Sequence, residues 1–195
     1  MKLALFASGN GSNVQALIDA VNDGTIKGTI QCLVCDNPKA YVIERAQAAG
    51  IDTLVIPPNR CSSRVEWENV ILEFLQSHQV DLVILAGFMR IISSTLLNHY
   101  PKRIINIHPS LLPAFPGRNS IQDAYDAKVE KTGVTIHYVD EGIDTGEIIA
   151  QESLNIQAEW SLELLEEAIH KIEHRLYPQV VQQLIEKFNM KGNME

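Results

Sequence analysis

Positive charge is in short supply in this 195-residue sequence: 16 Lys and Arg stand against 24 Asp and Glu, a formal charge of -8. That balance excludes the broad basic footprint with which proteins neutralise nucleic-acid phosphates, so no nucleic-acid partner is expected. A small anion needs only a local positive spot and stays within reach. Cysteine is scarce too. Three cysteines in a chain this long do not build a disulfide framework, which makes a reduced cytoplasm the simplest compartment. No stretch approaches the roughly 20 apolar residues of a membrane span. The apolar run "LALFA" after Lys2 is too short for a secretion signal, so no membrane partner is expected. Repeats, low-complexity linkers and breaks in composition are all missing. With hydrophobic residues at 46% and charged residues at 21%, residues 1–195 read as one globular domain.

Cys32 and Cys35 do form a C-x-x-C, a spacing that metals and redox chemistry use. They fall inside "TIQCLVCD", which reads as a strand, so side chains three apart point to opposite faces. Both are read as small buried apolar residues.

Short apolar runs rich in β-formers alternate with stretches of helical period. "LALFA" at 3–7 precedes Val14, Leu17, Ile18 and Val21 at helical spacing; then come "TIQCLVC", a segment at 40–49 closed by Gly50, and "DTLVIP". A helix from about Ser63 to His78 leads into "DLVILAG", and a short helical piece near 94–99 precedes "RIINIH". Strands apolar throughout indicate burial on both faces, as in parallel sheets flanked by helices. The fold class expected is therefore α/β: a doubly wound, mostly parallel sheet. After residue 118 the pattern changes. "GVTIHYVD" at 133–140 and "EIIAQESLNI" at 147–156 alternate openly and read as an antiparallel hairpin around "EGIDTG". A long amphipathic C-terminal helix follows, with Leu162, Leu165, Ile169, Ile172 and Leu176 on one stripe, interrupted at Pro178 and resumed at Val181.

Ligands of such sheets bind beyond the carboxyl ends of the strands, and three loops with unusual chemistry, at 8–13, 108–118 and 140–146, are expected to share that rim. "ASGNGSN" follows the first strand and opens the first helix. Gly9 and Gly11 let backbone amides turn inward, Ser12 and Asn13 supply donors or a cap, and the helix dipole favours an anion. This suits a single phosphate. A dinucleotide fingerprint wants a glycine where Val14 stands, and a Walker loop wants a lysine; only Asp36, as a ribose partner, speaks for the former.

Asn106 and His108 are two apart on one strand, so their side chains leave the same face. Pro109, Pro113 and Pro116 then restrict the backbone, as is useful for holding a reactive group in place. An amide beside a protonated imidazole suits an oxyanion growing on an attacked carbonyl. Asp144, between Gly142 and Gly146, either bonds its own turn or holds His108 charged and passes on a proton. "AGFMRI" at 86–91 reads as an apolar lip with one arginine, fit for a flat heterocycle or for ordinary packing. Arg64 reads as a solvated helix residue unless a dianionic ligand lies near. His170 and Glu173, at i and i+3, read as a surface pair.

The strings "FASGNGSN", "AGFMRI", "INIHPSLLPAFPG", "HYVDEGIDTGEII" and "EHRLYP", in this order and spacing, resemble the phosphoribosylglycinamide formyltransferase family, folate-dependent enzymes of purine synthesis. The likeness runs from Lys2 to about Phe188. It implies that Gly11, Ser12 and Asn13 hold a substrate phosphate and that Glu173 lies on the same substrate's side. It implies Arg64, Met89, Arg90, Ile91, Ile92 and Asn106 along a folate cleft, and Asn106, His108 and Asp144 as the catalytic trio. No role for His170 follows from it. The implied co-substrate is 10-formyltetrahydrofolate, with no metal, and the implied partners are small molecules acting on a monomer or homodimer.

Three other functions use parts of this set. A formyltetrahydrofolate hydrolase would carry an N-terminal regulatory domain, whereas the first strand here starts at Leu3. A methionyl-tRNA formyltransferase would add a basic RNA-binding region, whereas this acidic chain ends at Glu195. A silent nucleotide-binding module would need the glycine loop but not the trio.

Overall fold

The computed structural model describes residues 1–192. Its strands are β1 (Lys2–Ala7), β2 (Thr29–Cys35), β3 (Asp52–Val55), β4 (Leu82–Leu85), β5 (Ile104–His108), β6 (Lys131–Tyr138) and β7 (Ile148–Asn155). Its helices are α1 (Ser12–Asn22), α2 (Val42–Ala48), α3 (Arg64–Ser77), α4 (Ser94–Leu97), α5 (Ser120–Asp126) and α6 (Leu162–Gly192). The strands make one sheet in the order β3-β2-β1-β4-β5-β6-β7. The pairs from β3 to β5 are parallel; β5–β6 and β6–β7 are antiparallel.

Alternation along the strands sorts the core into two layers. Leu3, Leu5 and Ala7 face one layer with Val14 and Leu17 of α1, Val42 and Ala46 of α2, and Leu165, Ile169, Tyr177 and Val181 of α6. Ala4 and Phe6 face the other, with Trp67, Ile71 and Leu75 of α3 and Leu96 of α4. Each layer buries large side chains completely, at roughly 1.5–3 kcal/mol apiece, and this holds helices on both faces of the sheet. Cys35 belongs to the first layer and Cys32 to the second, so the C-x-x-C does not converge. Burial, and secondarily Asp52, pushes the Cys32 thiol up to about 12, which leaves it inert.

Helix α6 runs through Pro178 without a break. The expected interruption is absent because Tyr177, Val180, Val181, Leu184 and Ile185, on either side of the proline, are all buried in the core layer on the sheet. Packing on that scale outweighs the roughly 3 kcal/mol that an interior proline costs. Helix α5, seven residues with only Ser120 and Ala124 buried, is too short to leave a periodic stripe in the sequence.

Because β1 lies between β2 and β4, the chain turns to opposite sides of the sheet after these strands. The loops leaving β1 and β4 therefore splay apart, and a crevice opens between them at the carboxyl ends of the strands. Among the described residues, no helix is long and apolar enough to cross a membrane.

Candidate active site

A cavity of about 870 Å³ fills that crevice. It is lined by Gly9–Asn13 after β1, Leu85–Ile92 at the end of β4, Asn106–Pro109 at the end of β5, residues of the 139–144 segment, and His170 and Glu173 of α6.

The glycine loop forms one end. Gly11 is the N-cap of α1, with φ at 76°, and no side chain caps the helix. The first-turn amides of an 11-residue helix are thus left for a ligand, with the positive end of the dipole behind them. A side chain at position 11 is doubly disfavoured, since a Cβ there would stand 2.4 Å from Val42 Cγ2 in a left-handed conformation. Asn13 Nδ2 donates to Glu173 Oε2 at 3.1 Å, and Asn13 Oδ1 is buried without a partner. Glu173 is 5% exposed rather than a surface residue. Burial pushes its carboxyl up, partly offset by the Asn13 hydrogen bond and by His170. His170 is exposed and stacks on His174 at 6.2 Å.

The other end is built on antiparallel register. Asn106 pairs with His137 and His108 with Thr135, so all four side chains share one face of the sheet. Because β6 is antiparallel, its end at Tyr138 lies beside the start of β5, not at the common rim. The 140–146 segment reaches the site by folding back, which corrects the expectation of three loops on one rim of parallel strands. Gly146 permits the fold, since a Cβ there would stand 1.8 Å from the Tyr138 carbonyl oxygen.

Folding back brings Asp144 Oδ2 to 3.4 Å from His108 Nδ1 and Asp144 Oδ1 to 3.6 Å from His137 Nε2. The Gly117 amide donates to Asp144 Oδ2 at 2.9 Å. Burial raises the Asp144 carboxyl, but the hydrogen bonds from His137 and Gly117 and the adjacent imidazoles outweigh it, so the net shift is downward. Asp144 is therefore ionised at neutral pH.

His108 Nε2 donates to the Phe115 carbonyl at 2.8 Å. A carbonyl only accepts, so Nε2 carries a hydrogen, while Nδ1 faces the Asp144 carboxylate. His137 Nδ1 donates to the Tyr138 carbonyl at 2.8 Å, and its Nε2 lies between Asn106 Nδ2 at 3.3 Å and Asp144 Oδ1 at 3.6 Å. The Asn106 amide thus faces His137 and also lines the cavity. His137 escaped the sequence reading; strand register against Asn106 was the signal that would have found it.

The proline loop is braced from beneath. Thr135 Oγ1 donates to the Ser110 carbonyl at 2.7 Å and accepts from Leu112 N and Gln151 Nε2. Phe115 and Asp144 are both held at positive φ, 52° and 55°. Each conformation costs on the order of 1–3 kcal/mol, and both occur where a side chain or carbonyl is aimed at His108.

The lip at 88–92 is less uniform than expected. Met89 and Ile91 are half exposed on it, but the Ile92 side chain is buried in the core below. Arg90 Nε donates to Asp36 Oδ2 at 2.6 Å, so Asp36 serves an arginine rather than a ribose. Arg64 does not line the cavity. Its guanidinium pairs with buried Glu68 at 3.3 Å and donates to the Ile91 carbonyl, which fastens the lip from outside. Among the described residues no group of three or more His, Cys, Asp and Glu is placed to hold a metal ion.

Residues 1–181 match the family model described as formyl transferase. The chain is 48% identical over 184 residues to a curated phosphoribosylglycinamide formyltransferase of Bacillus subtilis, covering 94% of each protein. Among solved structures, glycinamide ribonucleotide transformylase 1 from Geobacillus kaustophilus superposes with a TM-score of 0.92 at 50% identity, over 94% of this chain and 97% of that one. Phosphoribosylglycinamide formyltransferase from Bacillus halodurans gives 0.93 at 45% identity, over 95% of each. With the model and the relatives agreeing over nearly the whole length, the chain belongs to the formyl transferase family and, within it, to the phosphoribosylglycinamide formyltransferases.

Proposed function

We propose that this chain, acting as one formyltransferase domain, transfers the formyl group of 10-formyltetrahydrofolate to the amine of 5-phosphoribosylglycinamide in purine biosynthesis. The observation that carries the reading is the meeting of Asn106 and His108 of β5 with Asp144, remote from them in sequence, in a cavity whose other end is an uncapped helix N-terminus. The phosphate lies against the amides of Gly11, Ser12 and Asn13. Glu173 and the partnerless Asn13 Oδ1 accept from hydroxyls or the amine of the same substrate. The folate lies along Met89 to Ile92, with Arg64 reinforcing that wall.

In the reaction the neutral amine attacks the formyl carbon. The Asn106 amide and Nδ1–H of His108 donate to the oxyanion as it forms. At 3.4 Å the contact of His108 with Asp144 is longer than the roughly 2.7–2.9 Å of a committed charge-assisted bond, which leaves the Nδ1–H to be shared with the oxyanion. Asp144 keeps the imidazole charged, and through that pairing the two residues relay the proton from the attacking amine to the departing folate nitrogen as one unit. The intermediate then collapses with cleavage of the bond to that nitrogen. No covalent enzyme intermediate is needed.

The test incubates the protein with 10-formyltetrahydrofolate, with and without 5-phosphoribosylglycinamide, and follows deformylation of the folate. Release that depends on the amine is expected. Release without it would make the protein a hydrolase, and no release at all would make it a binding module.

A further inference from the structure

Arg45 stands outside the cavity, on α2, yet two of its three guanidinium nitrogens are directed at the glycine loop. Its Nε donates to the Asn10 carbonyl at 2.9 Å, one Nη to Asn10 Oδ1 at 3.0 Å, and the other to Gln15 Oε1 at 3.3 Å. The same group lies 4.9 Å from the centre of the Tyr41 ring. Beside it, Val42 N donates to the Gly9 carbonyl at 3.1 Å, and the Val42 side chain fills the space that a Cβ on Gly11 would need. The start of α2 therefore grips Gly9, Asn10 and Gly11 in turn.

Peptide geometry gives the grip its consequence. In a trans peptide the carbonyl and the following N–H point in opposite directions. Holding the Asn10 oxygen toward Arg45, away from the cavity, turns the Gly11 N–H toward it. Glycine at 11 and its exposed neighbours at 9 and 10 have little intrinsic preference for this arrangement. Only a planar fork with three separately aimed nitrogens satisfies the Asn10 carbonyl, the Asn10 amide and Gln15 together.

We propose that Arg45 is a positioning residue for the anion-binding loop, acting through the Asn10 peptide and not by contact with the ligand. This rests on the reading of residues 9–13 as the phosphate site. The experiment compares wild type, Arg45→Met and Arg45→Lys in formyl transfer, with 5-phosphoribosylglycinamide and with its dephosphorylated counterpart. Both variants are expected to raise KM for the phosphorylated amine about tenfold, equivalent to about 1.4 kcal/mol. KM for the folate and kcat at saturation stay within about twofold. Lysine fails to rescue because it keeps the charge and loses the fork.

Rescue by Arg45→Lys would overturn the proposal in favour of a simple charge effect, and an unchanged KM in Arg45→Met would overturn it outright. A parallel fall in kcat and rise in both KM values, with a lowered Tm, would reduce Arg45 to a fold-stabilising residue. If wild type itself did not discriminate between the two amines, the phosphate reading of the loop would fall and take this inference with it. Discrimination by wild type that both variants retain would sink the Arg45 assignment alone.

Discussion

The cavity's glycine-loop end offers mainly backbone amides at the tip of a parallel strand, whereas its His108 end offers side chains arranged by antiparallel register and a segment that folds back. The first is local: residues 9 to 13 and the helix they open supply most of it. The second draws on β5, β6, the proline loop and Asp144. The two carboxylates differ in the same way. Glu173, desolvated behind Asn13, is pushed up, and Asp144, served by an amide and two imidazoles, is pulled down. A binding end can tolerate a costly buried carboxyl that a substrate later satisfies, while a proton-handling end needs its charge in place beforehand.

Removing the ring that receives both kinds of support tests this contrast most severely. Replacing an oxyanion donor typically costs about 100- to 1000-fold in rate, so His108→Ala should fall at least that far in single-turnover formyl transfer, with its circular dichroism unchanged. Asn106→Ala should follow. At the other end, Gly11→Ala is expected to lose roughly 1–3 kcal/mol of stability in denaturant titration, and Val42→Ala should recover little of it, because the Val42 Cβ would still stand 2.6 Å from the new methyl and φ would stay positive.

Tyr177 ties β4 to β5 beneath the cavity. Its buried hydroxyl donates to the Leu85 carbonyl at 2.8 Å and lies 3.4 Å from that of Ile105, at the strands that carry the lip and Asn106. Tyr177→Phe should cost about 1 kcal/mol, or about 2–4 °C in Tm for a chain of this size.

The smallest effects are those of direction. The stability that Asp144 contributes by ionising is complete above an unfolded value near ~3.9 and is lost as pH falls through its lower folded value. Asp144→Asn should therefore lower Tm at neutral pH and approach wild type in acid. Glu173 has the opposite sign: stability is complete below an unfolded value near ~4.3 and is lost as pH rises through the raised folded value. Glu173→Gln should raise Tm at pH 7 by a margin that shrinks on acidification, while weakening the amine substrate. Parallel curves for the two variants would erase the distinction between the ends.

Much of this was legible in the sequence. Unbroken apolar runs announced buried parallel strands, glycines and prolines marked the loops, and alternation after residue 130 marked the hairpin. What stayed hidden depends on pairing between distant segments. Pro178 argued locally for a break that burial of its neighbours overrides. Asp144 was named, but its route to His108 is decided by the strand direction of β6, which alternation does not encode. His137 gained meaning only once register set it opposite Asn106, and Glu173 looked like surface until α6 met Asn13. Arg64 fitted a ligand role by type, yet a fully buried Glu68 four residues on turns it toward the lip.

The central claim is that Asp144 acts through His108, and a double-mutant cycle measures it directly. Single-turnover rates for His108→Ala, Asp144→Asn and the double variant should show the double no slower than His108→Ala alone, as expected for residues working as one unit. Losses that multiply, leaving the double slower by the product of the two, would contradict the account.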